Sequence, residues 1–455
     1  MKSVPSAVAD GSPFNTPPPA TAGGTDISHA VKIFWRAISI KLKTIMKPIT
    51  RIQLMLMMFL MYFMWGAWYG QMSKYMLSPA FNGGKGATGD QVGNAYLAFS
   101  IATIAAPFFV GMIADRFFAA QKVMAILNIL GAVVLYFVTQ ITDGGTFFWY
   151  ILAYMLCFAP SVALSNSIAM NQMENPEKEF PAIRVLGTIA WIVVTNIVGY
   201  FNFGGDVRIF QLSLVTSVIF GIYSFFLPDT PPRAKGEKVS VAKIIGADAF
   251  VLLKDRSYLI FFIASVLICI PLAFYYNLAN PSLTASYMTN VENKMSLGQA
   301  SEVIFMLILP LVYLKFGVKN MLLIGLIAWM VRFICFGYGD ARTSEWLLYI
   351  GILLHGICYD FFFVTGQIYT DNKAGEKIKN SAQGLIVLAT YGVGMGIGSK
   401  LSGLVLDWYK TVDATTQKAV YNWTSVWMVP AAIAAVVLVL FLLFFSEKKV
   451  EPIAA

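Results

Sequence analysis

Charge is scarce in this 455-residue chain. Only 13% of its residues are Asp, Glu, Lys or Arg and 58% are hydrophobic, where a soluble domain carries about 25% charged residues. That balance excludes an ordinary soluble globular fold and fits a protein built for lipid. Histidine is rarer still: His29 and His355 are the only two, too few for a histidine-based metal site. The four cysteines, Cys157, Cys269, Cys335 and Cys358, sit in apolar runs without metal-ligand spacing. They predict neither a disulfide framework nor a zinc site, and no metal or cofactor is expected. No nucleophile–base pair appears in the apolar stretches, so an enzyme is the least expected class.

Long polar stretches are also few, one at the N-terminus and one in the middle. The first 28 residues are dominated by Pro, Gly, Ser and Thr, lack the apolar core of a signal peptide, and have the composition of a disordered tail. Residues 31–46 are basic and amphipathic, suited to lying on an anionic membrane surface. A translation start at Met46 is the bland alternative.

What is abundant is apolar stretches of about 20 residues, the length that crosses a hydrocarbon core. Twelve are expected, centred near residues 65, 101, 130, 158, 192, 217, 269, 307, 329, 357, 394 and 434. The basic loop 228–256 divides them six and six. The expected organisation is an N-terminal arm (1–50), a first six-helix bundle (51–227), the central loop (228–256), a second bundle (257–447) and a short tail (448–455). Lys and Arg favour the cytoplasmic side. With the N-terminus inside, 23 of the 33 basic residues fall on that side and six outside: Lys85, Arg208, Lys294, Arg342, Lys410 and Lys418. Both termini are therefore expected in the cytoplasm, in an all-α protein of the cell inner membrane.

Six plus six spans about a cytoplasmic loop is the organisation of major facilitator transporters, whose halves rock about a site near the midplane. Gly111-Met-Ile-Ala-Asp115-Arg116, after span two, resembles the superfamily's G-x-x-x-D-R signature. The Gly allows close helix approach, and the Asp can cap a helix or pair with a base across the halves. Gly317-Val318-Lys319, after span eight, stands at the equivalent place in the second half.

Charged residues inside the spans are the candidate functional groups, since an ionised side chain at mid-membrane costs at least about 2.5–3.5 kcal/mol. In span five Arg184, Thr188 and Trp191 fall at i, i+4 and i+7, on one face. A guanidinium, a hydroxyl and an aromatic ring on one stripe suit a ligand with hydroxyls and a flat ring; the plain alternative is Arg184 snorkelling to the surface. Span eight carries Gln299 and Glu302, and span ten His355, Tyr359 and Asp360. Two carboxyls in apolar helices suit a proton relay, unless they only tie helices together or pair with Arg332. Span seven brackets Tyr276, Asn277 and Asn280 between Pro271 and Pro281, and prolines in membrane helices free backbone groups and mark cavity-lining segments. Trp65 and Trp68 lie mid-span, where a cavity role is open to them. Gly392, Gly394, Gly396 and Gly398 predict close helix packing rather than phosphate binding, and Lys400 beyond them reads as a snorkelling side chain.

From the Trp65-Gly66-x-Trp68 segment to span eleven the chain resembles the nucleoside:proton symporter family of the major facilitator superfamily. The stretches FPAIRVLGTIAW, GQASEVIF, FGVKNMLLIGLIAWMVRFICFGYGD and YDFF, with SAQG later, carry the likeness. The resemblance implies nucleoside uptake coupled to protons by alternating access. It implies substrate contacts at Arg184, Thr188, Trp191, Tyr276, Asn277, Gln299, Glu302, Tyr359 and Asp360, with Asp360 and Glu302 coupling the proton. His355 stands where a family member has a tyrosine. In span seven Ala273 and Tyr276 replace a Gln and an Asn of that member, which puts base recognition in question. Expected partners are a nucleoside, protons and the bilayer, with no nucleic acid, and the chain is expected to work as a monomer. The rival functions are transport of sugars or another small polar metabolite, and a membrane sensor that binds without flux.

Overall fold

A computed structural model describes residues 47–110, 117–173, 175–232, 246–416 and 418–446. Gly111, Asp115 and Arg116, the N-terminal arm before residue 47 and the tail after 446 lie outside the described residues.

Helices make up nearly all of the rest. They are α1 (Pro48–Gly66), α2 (Met72–Leu77), α3 (Gly89–Phe109), α4 (Ala120–Val138), α5 (Gly144–Asn171), α6 (Pro176–Tyr200) and α7 (Arg208–Ser224). After the central loop come α8 (Arg256–Ala285), α9 (Val291–Tyr338), α10 (Glu345–Tyr359), α11 (Thr365–Val387), α12 (Met395–Trp408) and α13 (Trp423–Phe444). A small antiparallel hairpin, β1 (Lys410–Val412) with β2 (Ala419–Tyr421), joins the last two.

Among the described residues nine helical stretches are long and apolar enough to cross a membrane, and α7, with 17 residues, is apolar but shorter. One of the nine, the 48-residue α9, breaks at Gly317 (φ 70, ψ 174). That backbone is open to glycine and strained for other residues. Outward faces are as apolar as the interior. On α4, Ile126, Leu130, Val133 and Phe137 are all exposed, a stripe at helical spacing that a soluble helix would turn to its core. This is the pattern of an all-α membrane protein.

Local chemistry starts several of these helices. Thr88 and Gln91 form a reciprocal capping box on α3, and Asp143 accepts from the Thr146 N–H (2.7 Å) at the start of α5. Asp255 accepts from the Tyr258 N–H (2.8 Å) and so caps α8. Each satisfies an amide that the first helical turn leaves without a partner. The glycine run packs helices closely. A Cβ on Gly394 or Gly398 would stand 2.5–2.7 Å from Val266 O or the Ile270 and Ala273 atoms of α8, and one on Gly392 or Gly396 would press on Ile104 or Ser100 of α3. Two π-helical segments, Asp360–Val364 and Leu388–Gly394, interrupt the path from α10 to α12. Such widened turns occur mostly as single insertions, frequently at functional sites.

Candidate functional site

A cavity of about 460 Å³ lies between α1, α3, α5 and α6 on one side and α8 to α12 on the other. That volume is in the range of small-molecule sites. Its wall mixes aromatic and small apolar side chains, with a few polar groups converging on it.

Seven of the nine residues singled out from the sequence as substrate contacts line it: Arg184, Thr188, Trp191, Tyr276, Gln299, Glu302 and Tyr359. Two do not. Asn277 is fully buried one residue beyond Tyr276, and its amide donates to Ser402 Oγ (2.8 Å). It points away because neighbouring residues on a helix lie about 100° apart. Asp360 is likewise absent from the lining. It opens the first π segment with no exposed surface, and neither carboxyl oxygen has a hydrogen-bond partner.

Arg184 does not snorkel away from the site. Its guanidinium carbon sits 4.0 Å from the centre of the Tyr62 ring, a cation–π contact worth about 0.5–2 kcal/mol. Gly187 makes the stack possible, because a Cβ there would lie 2.6 Å from Tyr62 Cδ2 and 2.7 Å from an Arg184 nitrogen. Trp65 stands at the hub of the aromatic wall, with its ring 5.4 Å from Trp191, 5.3 Å from Phe158 and 5.5 Å from Phe99. Trp68, its sequence partner, is fully buried against Tyr154 and Phe210 instead. Of the tryptophan pair, only the first reaches the cavity.

Across the cavity the Tyr359 and Tyr391 hydroxyls share a hydrogen bond (2.8 Å). Glu302 lies 3.6 Å from His355 Nε2, and the Gln299 amide 3.0 Å from the same nitrogen. Arg332 is not the partner of the acids: its NH1 lies 3.0 Å from His355 Nδ1, and among the described residues it pairs with no carboxylate. Lys400 does not snorkel either; it binds Asp90 and Asn94 of α3.

Sequence reasoning passed over Tyr62, Tyr69, Phe99, Asn166, Gln367 and Tyr391, all of which line the site. Polarity marked out Asn166 and Gln367. Nothing separates the aromatic ones from core residues in a chain with 21 tyrosines and 35 phenylalanines.

The cavity is open at one end. Its lining residues Pro107, Gln367 and Val387 are exposed, whereas Tyr69 and Phe99 at the other end are buried. Beyond that buried end a set of cross-links closes the molecule. Lys74 meets Glu292 (2.7 Å), and Asn196 accepts from Asn293 (2.8 Å). Asp407 accepts from the Gly89 and Asp90 N–H groups (2.7 and 2.8 Å).

Residues 48–450 match the model of a family described as nucleoside H+ symporter. The YegT protein of Escherichia coli (strain K12) is 40% identical over 411 residues, covering 88% of this chain and 95% of that one. Xanthosine permease of the same strain is 32% identical over 413 residues, covering 87% and 95%. The crystal structure of the nucleoside transporter NupG superposes with a TM-score of 0.76 at 28% identity, over 88% of this chain and 100% of that one. A peptide transporter POT with bound sulfate, 14% identical, matches in fold alone with a TM-score of 0.65. With the match running from the first helix past the last, the chain belongs to the nucleoside H+ symporter family.

Proposed function

We propose that this chain imports nucleosides with protons by alternating access, as a monomer in the cell inner membrane. Its architecture is then a twelve-helix major facilitator arrangement of two six-helix halves, 51–227 and 257–447, with both termini in the cytoplasm. Breaking α9 at Gly317 yields two spans, and counting α3 and the short α7 with the other apolar helices brings the total to twelve. The open end of the cavity lies on the side of Lys122, in the first turn of α4, and of Lys373 and Lys377, which flank the break at Gly375 in α11, the side expected in the cytoplasm. This conformation is therefore inward-facing.

One observation carries the reading. A single cavity gathers a guanidinium on an aromatic ring, a carboxyl, an amide and hydroxyls, between walls of tryptophan and tyrosine. Flat, partly apolar bases stack on such walls, while sugar hydroxyls need convergent donors and acceptors. In the cycle, the outward-facing cavity takes up substrate and a proton at Asp360 or Glu302. The halves then close, and both ligands leave inside, where proton activity is lower. Coupling requires that proton and substrate favour the same conformation.

Counterflow in proteoliposomes across a pH series tests this, with labelled uridine and adenosine competed by free bases and sugars. Nucleoside uptake that is accelerated by an inward proton gradient and unaffected by sugars is the expected result. Sugar competition as strong as nucleoside competition would refute the substrate class. Binding without flux would make the protein a sensor.

A further inference from the structure

Behind the cavity wall Arg332 and His355, which the transport cycle leaves unused, form a line that ends on the Gln299–Glu302 pair of the lining. Arg332 has no exposed surface, and its guanidinium carbon lies 3.6 Å from the centre of the Tyr275 ring. Its NH1 stands 3.0 Å from Nδ1 of His355, itself buried. A guanidinium has donors and no acceptor, so Nδ1 must offer its lone pair. The ring proton then stands on Nε2. That nitrogen faces the Gln299 amide nitrogen at 3.0 Å and Glu302 Oε2 at 3.6 Å.

We propose that Arg332 fixes His355 as the Nε2–H tautomer, making His355 a positioning residue that sets the hydrogen-bond polarity of the Gln299–Glu302 wall. Two donors do not bond to one another, so the Gln299 amide must turn over, bringing its carbonyl to the ring and its NH2 to the cavity. Glu302, one turn on, keeps an oxygen free to accept. The wall thus presents a donor beside an acceptor, matched to a ligand group that both takes and gives a hydrogen. In the opposite tautomer Nδ1–H would face the guanidinium, donor against donor, and Nε2 would draw the Gln299 NH2 away from the ligand. Substrate entry into this cavity is the Proposed function's reading, on which the role of His355 in binding rests.

The chain holds only two histidines, so a His29→Ala protein labelled with nitrogen-15 histidine carries one imidazole to observe. At neutral pH its spectrum should show a protonated Nε2 and an unprotonated Nδ1 coupled within one ring. An Nδ1–H ring, a doubly protonated ring or a mixture of tautomers in this protein overturns the proposal. Arg332→Met should convert the single species to a mixture; a folded Arg332→Met protein that keeps the pure Nε2–H form shows that Arg332 is not the cause. If that variant does not fold, the spectrum of the Arg332 protein still decides the tautomer.

In transport, His355→Phe should raise KM about tenfold or more, as expected for one lost hydrogen bond to a charged group, and leave Vmax less affected. His355→Gln, which keeps an amide donor, should recover part of that loss. An unchanged KM with reduced Vmax for both variants contradicts a positioning role. The ring spectrum is read without flux, so failure to move nucleosides would sink the transport reading and leave the tautomer result intact.

Discussion

A carboxyl without a partner is an expensive side chain, and Asp360 has neither exposed surface nor a hydrogen bond. An ionised carboxylate left so would cost several kcal/mol, so its resting place makes sense for a group that meets a proton during the cycle. Asp360→Asn keeps the volume and removes the exchangeable proton. The variant is expected to retain counterflow and to lose uphill accumulation driven by a pH gradient, by at least about tenfold, the scale of a 1.4 kcal/mol change in coupling. Measured accumulation like that of the wild type would remove Asp360 from the coupling path. Gly187→Ala offers a second test at this scale, since the added methyl collides with both members of the Arg184–Tyr62 stack. Losing that contact is expected to raise KM for nucleosides about threefold to thirtyfold, read as initial uptake rates, with unchanged protein yield. That Arg184, Thr188 and Trp191 line the cavity was legible because one helix places them on one stripe. That Asn277 and Asp360 stand outside the lining was not, because the face a helix turns inward is set by its neighbours and, for Asp360, by a π segment.

Helix boundaries follow from short-range chemistry, and much of that chemistry is written locally. Thr88 with Gln91, Asp143 and Asp255 are start signals of ordinary type, and runs of apolar residues mark where the spans lie. The π segments have no such signal, since widening a turn depends on what packs against it. Asp255 carries more than its cap. It also binds Lys373 Nζ at 3.1 Å, and so ties the start of α8 to α11. Partial burial would raise the Asp255 carboxyl, but the Tyr258 N–H and Lys373 outweigh it and hold the group below its ordinary value of 3.8. A depressed value in the folded state means that the stabilisation is complete above pH 3.8 and fades as the pH falls through the lower folded-state value. Asp255→Ala should therefore destabilise the protein by about 1–2 kcal/mol at neutral pH. Thermal unfolding in detergent reads the loss, and an unchanged midpoint would mean that the cap and the ion pair contribute nothing.

At the scale of the whole molecule, alternating access requires that the closed end be held by contacts weak enough to release. The links there are few and polar: Lys74 with Glu292, Asn196 with Asn293, Lys400 with Asp90, and Asp407 on the first turn of α3. The last is the most demanding. α3 begins with three amides that lack intrahelical partners; Thr88 satisfies the Gln91 N–H, and the Asp407 carboxylate, from α12, accepts from those of Gly89 and Asp90. Gly89 and Gly403 meet backbone to backbone at the same crossing, leaving no room for a side chain on either. Opening this end strips the helix start of its carboxylate and hands both amides to water. The exchange removes the charge-assisted bonds and the favourable interaction of an anion with the positive end of the helix. Asp407→Asn keeps the shape and drops the charge, so it should weaken the closed end by about 1–2 kcal/mol and shift the population toward outward-facing by roughly 5- to 30-fold. Spin-label pairs across each end, one on the α2–α3 and α8–α9 loops and one on the loops that precede α4 and α8, would report the shift as longer distances across the closed end and shorter ones across the open end. If the distance distributions of Asp407→Asn match those of the parent protein, the carboxylate does not bias the equilibrium, and the seal must rest on the glycine crossing and the Lys74–Glu292 pair.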